Sequence, residues 1–364
     1  MPCYHPQYRL DARVPERIPR YFRQRIYNKG VILSQAEYER DREFLQRFEE
    51  AGLLSQIPCG KCVGCRLDYS REWANRCMHE ASYYSSNLFL TLTYDETTLP
   101  IGTDVLFDPD TGEIVLDEET GQVKTVQRGV LVPRDLQLFL KSFRIELQRK
   151  YGQTGVRFYA CGEYGEEGLR PHFHVIAFNC ELPDMVYWYR RNGMTYYVSE
   201  FLLKVWQKGI CAVTEVNWNT CAYVARYVMK KRKGKTNKSL QEMRERAGVQ
   251  FQDEFVRMSL KPGIGWQYYQ DHKDTIYKTD EDFVQKKDRT VKVKPAKYFD
   301  RLFDLDDPDR MFEIKQERRA KGKARSEQIR MASDLSQIEL LEIKERTAET
   351  QASRLLRKFY QGSL

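Results

Sequence analysis

Two rhythms of apolar residues run along this chain. Residues 88–94, Leu-Phe-Leu-Thr-Leu-Thr-Tyr, alternate with the two-residue period of a half-buried strand. Residues 133–150 instead place Leu136, Phe139, Leu140, Phe143 and Leu147 at helical spacing, with Pro133 at the start, where its missing N–H is harmless. Further strands are predicted over 156–162, 172–178 and 210–216, the first two of these joined by a Gly-containing turn over 163–170. Helices are predicted over 199–208, closed by Gly209, and from 219 to 231. The resulting order, β-α-β-β-α-β plus a terminal helix, predicts an α+β fold. It is the split β-α-β (ferredoxin/RRM-like) antiparallel sheet with helices on one face and the other face open to host a site.

The flanks read differently. Residues 1–65 are loop-rich, with one short charged helix over 36–51, and end in a cysteine cluster. Residues 66–85 form an amphipathic pattern with Leu67, Trp73, Ala74, Cys77 and Ala81 on one side. An acidic insertion over 95–128 carries the turn signal Asp108-Pro-Asp-Thr-Gly112, which predicts a solvent-exposed hairpin. Residues 263–310 are aromatic and charged without a clear period. The tail carries a helical stripe through Ile329, Leu335, Ile338, Leu341 and Leu355, expected to be solvated or partner-dependent. Three segments are therefore expected: a Cys-rich one (1–65), a central domain (66–262) and a charged, largely helical extension (263–364).

The net charge of +8 in 364 residues and a pI near 8.9 favour a polyanionic partner. There is no secretory h-region and no apolar run long enough to span a bilayer, so no membrane partner is expected. Nine cysteines in that context predict a reducing cytoplasm with free or metal-bound thiols.

Two of the five histidines stand one residue apart, in Arg170-Pro-His-Phe-His174. On a strand they share a face, which makes His172 and His174 two-thirds of a metal site. An arbitrary His-x-His is more often a surface pair; the neighbourhood changes the balance. Glu163, at the end of the preceding strand, is the expected third ligand. Glu166 and Glu167 are runners-up that fall in the turn itself. Two histidines and one carboxylate suit several divalent metals, and the spacing is not that of a non-haem iron oxygenase.

Tyr223 and Tyr227 are four apart on the last predicted helix, with Lys230 on nearly the same face and Lys231 next to it. In a chain with 23 tyrosines such a pair arises by chance, so its meaning depends on the metal site beside it. A phenol attacks phosphorus only where its proton is drawn off and the phosphate is polarised. Basic residues from Arg226 to Lys238 suit a DNA backbone.

Cys59, Cys62 and Cys65 form a C-x2-C-x2-C run, which needs a fourth ligand to close a zinc site; an Fe–S site is the other metal reading. Cys3, which would pin the N-terminus, is preferred, while Cys77 and His79 compete. Cys161, Cys180, Cys211 and Cys221 lie in apolar stretches and read as core.

Taken together, Leu90-Thr-Leu-Thr93, Arg170-Pro-His-Phe-His174 and Tyr223-x3-Tyr227-x2-Lys-Lys resemble the three motifs of HUH endonucleases. More narrowly, with Cys59-Gly-Lys-Cys-Val-Gly-Cys65, Gly162-Glu-Tyr-Gly165 and Lys261-Pro-Gly-Ile-Gly265, the chain resembles the rolling-circle replication initiators of microviruses, especially the gokushovirus branch. The resemblance covers the N-terminus to residue 270 and leaves the insertion and the tail unexplained. It implies that His172, His174 and Glu163 hold Mg²⁺ or Mn²⁺, that Tyr223 or Tyr227 becomes linked to the 5′ end of a nicked phage origin, and that Lys230 or Lys231 stabilises the developing charge. Thr91 and Thr93 belong to the first motif and receive no chemistry. The family pattern also carries a cysteine at the position of Cys3. The implied partners are single-stranded and supercoiled origin DNA and the host helicase and DNA polymerase, in the host bacterial cytoplasm. The rival readings are a non-enzymatic single-stranded nucleic-acid-binding protein and a plasmid-type relaxase, which usually places its tyrosine before the histidine motif.

Overall fold

The computed structural model describes residues 3–10, 31–50, 53–108, 113–165, 169–191, 193–230, 235–287 and 289–360. Two compact units divide the chain: residues 1–69 with 322–357, and residues 70–321 with 358–364.

In the first unit, β1 (Gln7–Leu10) pairs antiparallel with both β2 (Val31–Leu33) and β3 (Leu54–Ile57). The helix expected over 36–51 is two helices, α1 (Gln35–Arg40) and α2 (Arg42–Glu50), parted at Asp41. Ser34 caps α1, accepting from the Glu37 amide while the Glu37 carboxylate accepts from the Ser34 amide. Tyr8, Leu10, Leu33 and Leu54 of the sheet bury against Tyr38 and Leu45, with Tyr8 and Tyr38 stacked 3.8 Å apart. Helix α3 (Val63–Ala81) starts three residues before the expected 66.

The second unit is built on a seven-stranded antiparallel sheet. Its strands are β4 (Asn87–Tyr94), β7 (Arg157–Tyr164), β8 (Pro171–Phe178), β9 (Met185–Arg191), β10 (Met194–Ser199), β11 (Gly209–Glu215) and β12 (Phe255–Met258), in the order β12-β7-β8-β4-β11-β10-β9. The four expected strands make its centre, in the split order β11-β4-β8-β7. Helices α4 (Pro133–Tyr151) and α5 (Glu200–Trp206) cover one face. There Leu90 and Leu92 of β4, Phe173 and Val175 of β8, and Val213 of β11 pack against Phe139, Phe143 and Leu147 of α4 and Leu202 and Trp206 of α5.

The opposite face, expected to be open, is partly covered. Phe89, Tyr159, Cys161, Ile176 and Phe178 bury against Trp73, Ala74 and Cys77 of α3 and against Cys221, Ala222, Val224 and Ala225 of α6 (Trp218–Lys230). The strand pattern explains this second layer: Phe89, Ile176 and Phe178 are apolar at positions that an open face would give to polar residues. Thr93 and His172 lie outside that cluster and keep partial exposure.

The 95–128 insertion is a hairpin, as expected, of β5 (Ile101–Val105) and β6 (Thr125–Gly129), with residues 109–112 of its turn outside the described residues. It is not wholly solvent-exposed. Asp104 and Val105 are fully buried. Asp104 accepts from Arg244 Nε at 2.8 Å and Nη2 at 3.1 Å, on α7 (Lys235–Arg246), and also pairs with Arg128.

The described residues of 263–310 form α8 (Trp266–Thr279), the hairpin β13 (Asp282–Lys286) and β14 (Arg289–Val293), and α9 (Lys297–Asp306). Their core uses Tyr269, Ile276, Tyr277, Phe299 and Phe303. Two of these tyrosines place their hydroxyls on carboxylates, Tyr269 on Asp306 at 2.7 Å and Tyr277 on Asp300 at 3.0 Å. The charged spacing that hid the period is therefore part of the core's own hydrogen bonding. Helices α10 (Pro308–Met331) and α11 (Gln337–Tyr360) complete the chain.

Removing the carboxylate of Asp104 would leave two guanidinium groups facing a buried gap. Asp104→Ala is expected to lower unfolding stability by about 3 kcal/mol or more, measured as a fall in the urea midpoint.

Candidate metal centre and tyrosine helix

Antiparallel pairing brings the two halves of the histidine site together. Glu163 is the direct cross-strand partner of His172, and His174 faces Cys161 on one side and Thr91 on the other. Because alternate residues of β8 face opposite ways, Phe173 and Val175 go into the α4 core while His172 and His174 share the other face. The hairpin closes through the Gly165 amide on the Arg170 carbonyl at 2.9 Å. Glu166 and Glu167, the runners-up for the third ligand, lie outside the described residues.

The ligand atoms of Glu163, His172 and His174 lie within 4.8 Å of one another. His172 Nε2 is 3.0 Å and His174 Nε2 3.2 Å from Glu163 Oε1. Each ring is oriented from behind: His172 Nδ1 lies 3.1 Å from the Arg170 carbonyl oxygen and His174 Nδ1 3.0 Å from Thr91 Oγ1. With Nδ1 held by those oxygens, each Nε2 is aimed at Glu163 Oε1 and, once it gives up its proton, would turn its lone pair to a shared cation, the arrangement that metal-binding imidazoles adopt. Glu163 is almost fully buried. Burial alone would raise its pKa, but hydrogen bonds from His172 and His174, and their charges, outweigh it and hold the carboxyl well below its usual value. Two imidazole nitrogens and an ionised carboxylate oxygen, converging at this separation, fit a divalent cation.

Helix α6 delivers a phenol to the same point. Tyr223 Oη donates to Glu163 Oε1 at 2.6 Å, and its ring stands edge-on to His174 with centroids 5.0 Å apart. Cys221, Ala222, Val224 and Ala225 anchor the helix beneath it. Tyr227 and Lys230 belong to α6, but their side chains, like Lys231, lie outside the described residues.

In the first unit, Cys3, Cys59, Cys62 and Cys65 place their Sγ atoms within 4.8 Å of one another. Cys3 is thus the residue that joins the three thiols of the run. Cys77 is instead buried in the second unit's core, and His79 is buried with Nε2 2.9 Å from Asp282. Gly60, at φ 72°, turns the chain so that the Lys61 and Cys62 amides donate to Cys59 Sγ at 3.4 and 3.3 Å. The Cys59 amide donates to Cys3 Sγ at 3.1 Å and the Tyr4 amide to Cys62 Sγ at 3.4 Å. The hydrogen bond between the Cys3 and Cys62 thiols lowers the pKa of Cys62 and raises that of Cys3. Cys62 and Cys65 also sit at the start of α3, where the helix dipole favours negative sulfur. Four such thiols suit zinc or an iron–sulfur cluster.

The family model for replication-associated protein ORF2/G2P matches residues 87–232, which run from β4 through α6. Over 340 residues, the chain is 30% identical to replication-associated protein ORF2 of Spiroplasma virus 4, covering 92% of each protein. It belongs to this replication-associated protein family. Over 179 residues it is 32% identical to replication-associated protein VP4 of Bdellovibrio phage phiMH2K, covering 48% of each protein. Over 180 residues it is 28% identical to replication-associated protein ORF4 of Chlamydia phage 1, covering 48% of this chain and 38% of that one. No solved structure matches the chain. No helix among the described residues is long and apolar enough to cross a membrane.

Two members of the site went unassigned from sequence. Thr91 touches His174, and Arg170 reaches back to the Tyr94 carbonyl with Nε at 3.0 Å and Nη2 at 2.8 Å while its own carbonyl orients His172. The alternation of Leu90, Thr91, Leu92 and Thr93 showed that the threonines share a face; the register that sets Thr91 against His174 is a long-range fact. For this replication-associated protein, Thr91→Val is expected to weaken Mn²⁺ binding about 10- to 100-fold, measured by titration calorimetry, with little change in the unfolding midpoint. Elemental analysis of the purified chain is expected to find roughly one zinc that survives EDTA treatment, and Cys3→Ser is expected to lose it. Iron in its place would favour a cluster, and absence of both metals would mean that the four sulfurs are unligated.

Proposed function

We propose that this replication-associated protein is an HUH endonuclease and ligase that starts rolling-circle replication by nicking a single strand at a phage origin and later closes the circle. The observation that carries the reading is the convergence of Tyr223 Oη, His172, His174 and Glu163 on one point of the sheet. In this reading His172, His174 and Glu163 hold Mg²⁺ or Mn²⁺, which when bound supplies charge stabilisation at the scissile phosphate.

The chain's own residues do the rest. Tyr223, held beside the donor set, gives up its phenolic proton as its oxygen bonds to phosphorus. The bond from phosphorus to the 3′ oxygen breaks, and that oxygen takes a proton and leaves as a 3′-OH. The 5′ end stays on the tyrosine as a phosphodiester, so its energy is kept for religation. Lys230 or Lys231, three and four residues beyond Tyr227 in sequence, serves the developing phosphate charge. Tyr227, four residues beyond Tyr223, gives the second phenol that a repeated cleavage needs while the first is still bonded to DNA. Residues 66–262 carry this chemistry, with the Cys-rich segment 1–65 and the extension 263–364 as accessory parts. The partners are origin DNA and the host helicase and polymerase, in the host cytoplasm.

Incubation with origin single strands and Mn²⁺ is expected to give a covalent protein–DNA adduct on a denaturing gel. His174→Ala is expected to reduce it by roughly 100-fold or more. Tyr223→Phe and Tyr227→Phe should each keep some nicking but fail at circle closure, and the double substitution should form no adduct. Adduct confined to one tyrosine, with closure intact when the other is replaced, would sink the two-tyrosine scheme.

A further inference from the structure

The metal-bearing face of the sheet does not end at the metal ligands. Register carries it across four more strands, β4, β11, β10 and β9. His172 pairs with Thr93, and Thr93 with Ile210; His174 pairs with Thr91, and Thr91 with Ala212. Beyond β11, Tyr197 pairs with Val213, and both pack toward α4 and α5. Its neighbours Tyr196 and Val198 therefore face the other way, with the histidines. Tyr196 pairs with Tyr189 and Val198 with Val186, so these four side chains share that face. A register shift between Tyr196 and Tyr197 makes this possible, since it lets Tyr187 and Tyr189 point to opposite faces although only two residues apart.

The strip so formed is apolar and aromatic. Ile210 is 48% and Val186 63% exposed, and the half-buried rings of Tyr189 and Tyr196 stack 4.6 Å apart at 15°. Trp188 is exposed beside them, Tyr187 is exposed on the opposite face, and Arg190 and Arg191 follow on β9. β9 is an edge strand, where folds usually place charge or proline to prevent association. An edge carrying Val186, Tyr187, Trp188 and a stacked tyrosine pair has a use other than stability.

We propose that the β9–β10 hairpin is a stacking platform for the bases of single-stranded DNA that runs from the metal centre to the sheet edge. The proposal rests on the nickase reading for its ligand. Four strand intervals separate β8 from β9, about 19 Å at the usual strand spacing, enough for several bases of a strand engaged at the histidines. Aromatic faces hold bases without regard to sequence, and neighbouring guanidinium groups match the phosphates. The chain's positive balance suits the same ligand.

The test uses a fluorescein-labelled oligothymidylate and fluorescence anisotropy on the full chain. Tyr189→Ala with Tyr196→Ala is expected to weaken binding about tenfold or more, and the Tyr189→Phe, Tyr196→Phe double variant to restore it. Replacing the bases by abasic sugars should weaken wild-type binding similarly and add little to the alanine variant. Wild-type-like binding by the alanine variant, failure of the phenylalanine rescue, or indifference of the wild-type chain to abasic strands would each overturn the platform. So would a wild-type dimer that Val186→Glu converts to monomer, because the hairpin would then be a contact between copies. Adduct assays separate the two ideas: base-dependent, hairpin-dependent binding without any adduct would remove the nickase reading and leave the platform standing.

Discussion

Everything at the candidate metal centre depends on the register of three strands. Glu163 opposite His172, and His174 opposite Thr91, are pairings of β7 with β8 and of β8 with β4. A slip of one residue would send both imidazoles into the α4 layer and bring Phe173 and Val175 to the site. That slip is resisted by burial, since Phe173 and Val175 are fully enclosed and each contributes roughly 1.5–3 kcal/mol by leaving water. The hydrophobic face therefore aims the polar one.

Glu163 shows the cost of such a site. An isolated carboxylate at this depth would take up a proton, yet the two imidazoles hold its pKa well below the usual value, and the Tyr223 hydroxyl donates to the same carboxylate. All three meet a single oxygen, Oε1. Replacing such a cluster by packed apolar residues would be neutral or stabilising in many folds, so a cluster of this kind argues for a use beyond holding the sheet together.

Much of this was legible because the signals are local. Two histidines on one strand, an acid at the end of the strand before, and cysteines three apart all become neighbours through short-range geometry. The four central strands and the α4 helix showed their periods for the same reason. What stayed hidden depends on distant partners. β9 and β10 have no clean alternation because both of their faces keep exposed residues, and β12 is four residues long. The second helical layer could be seen only by noticing that Phe89, Ile176 and Phe178 were too apolar for an open face. Cys3 reaches its three sulfur partners across more than fifty residues, so no spacing rule could choose it over Cys77 or His79.

Glu163, His172 and His174, the candidate ligands, all stand on strands. Glu163 lies before the end of β7, and His172 after the start of β8. Of the described residues in the connection, Arg170 orients His172 with its carbonyl and holds the Tyr94 carbonyl with its guanidinium. A ligand fixed by strand register does not depend on the length of the connection for its position. A change in the length of that connection should therefore leave the three candidate ligands where the strands put them.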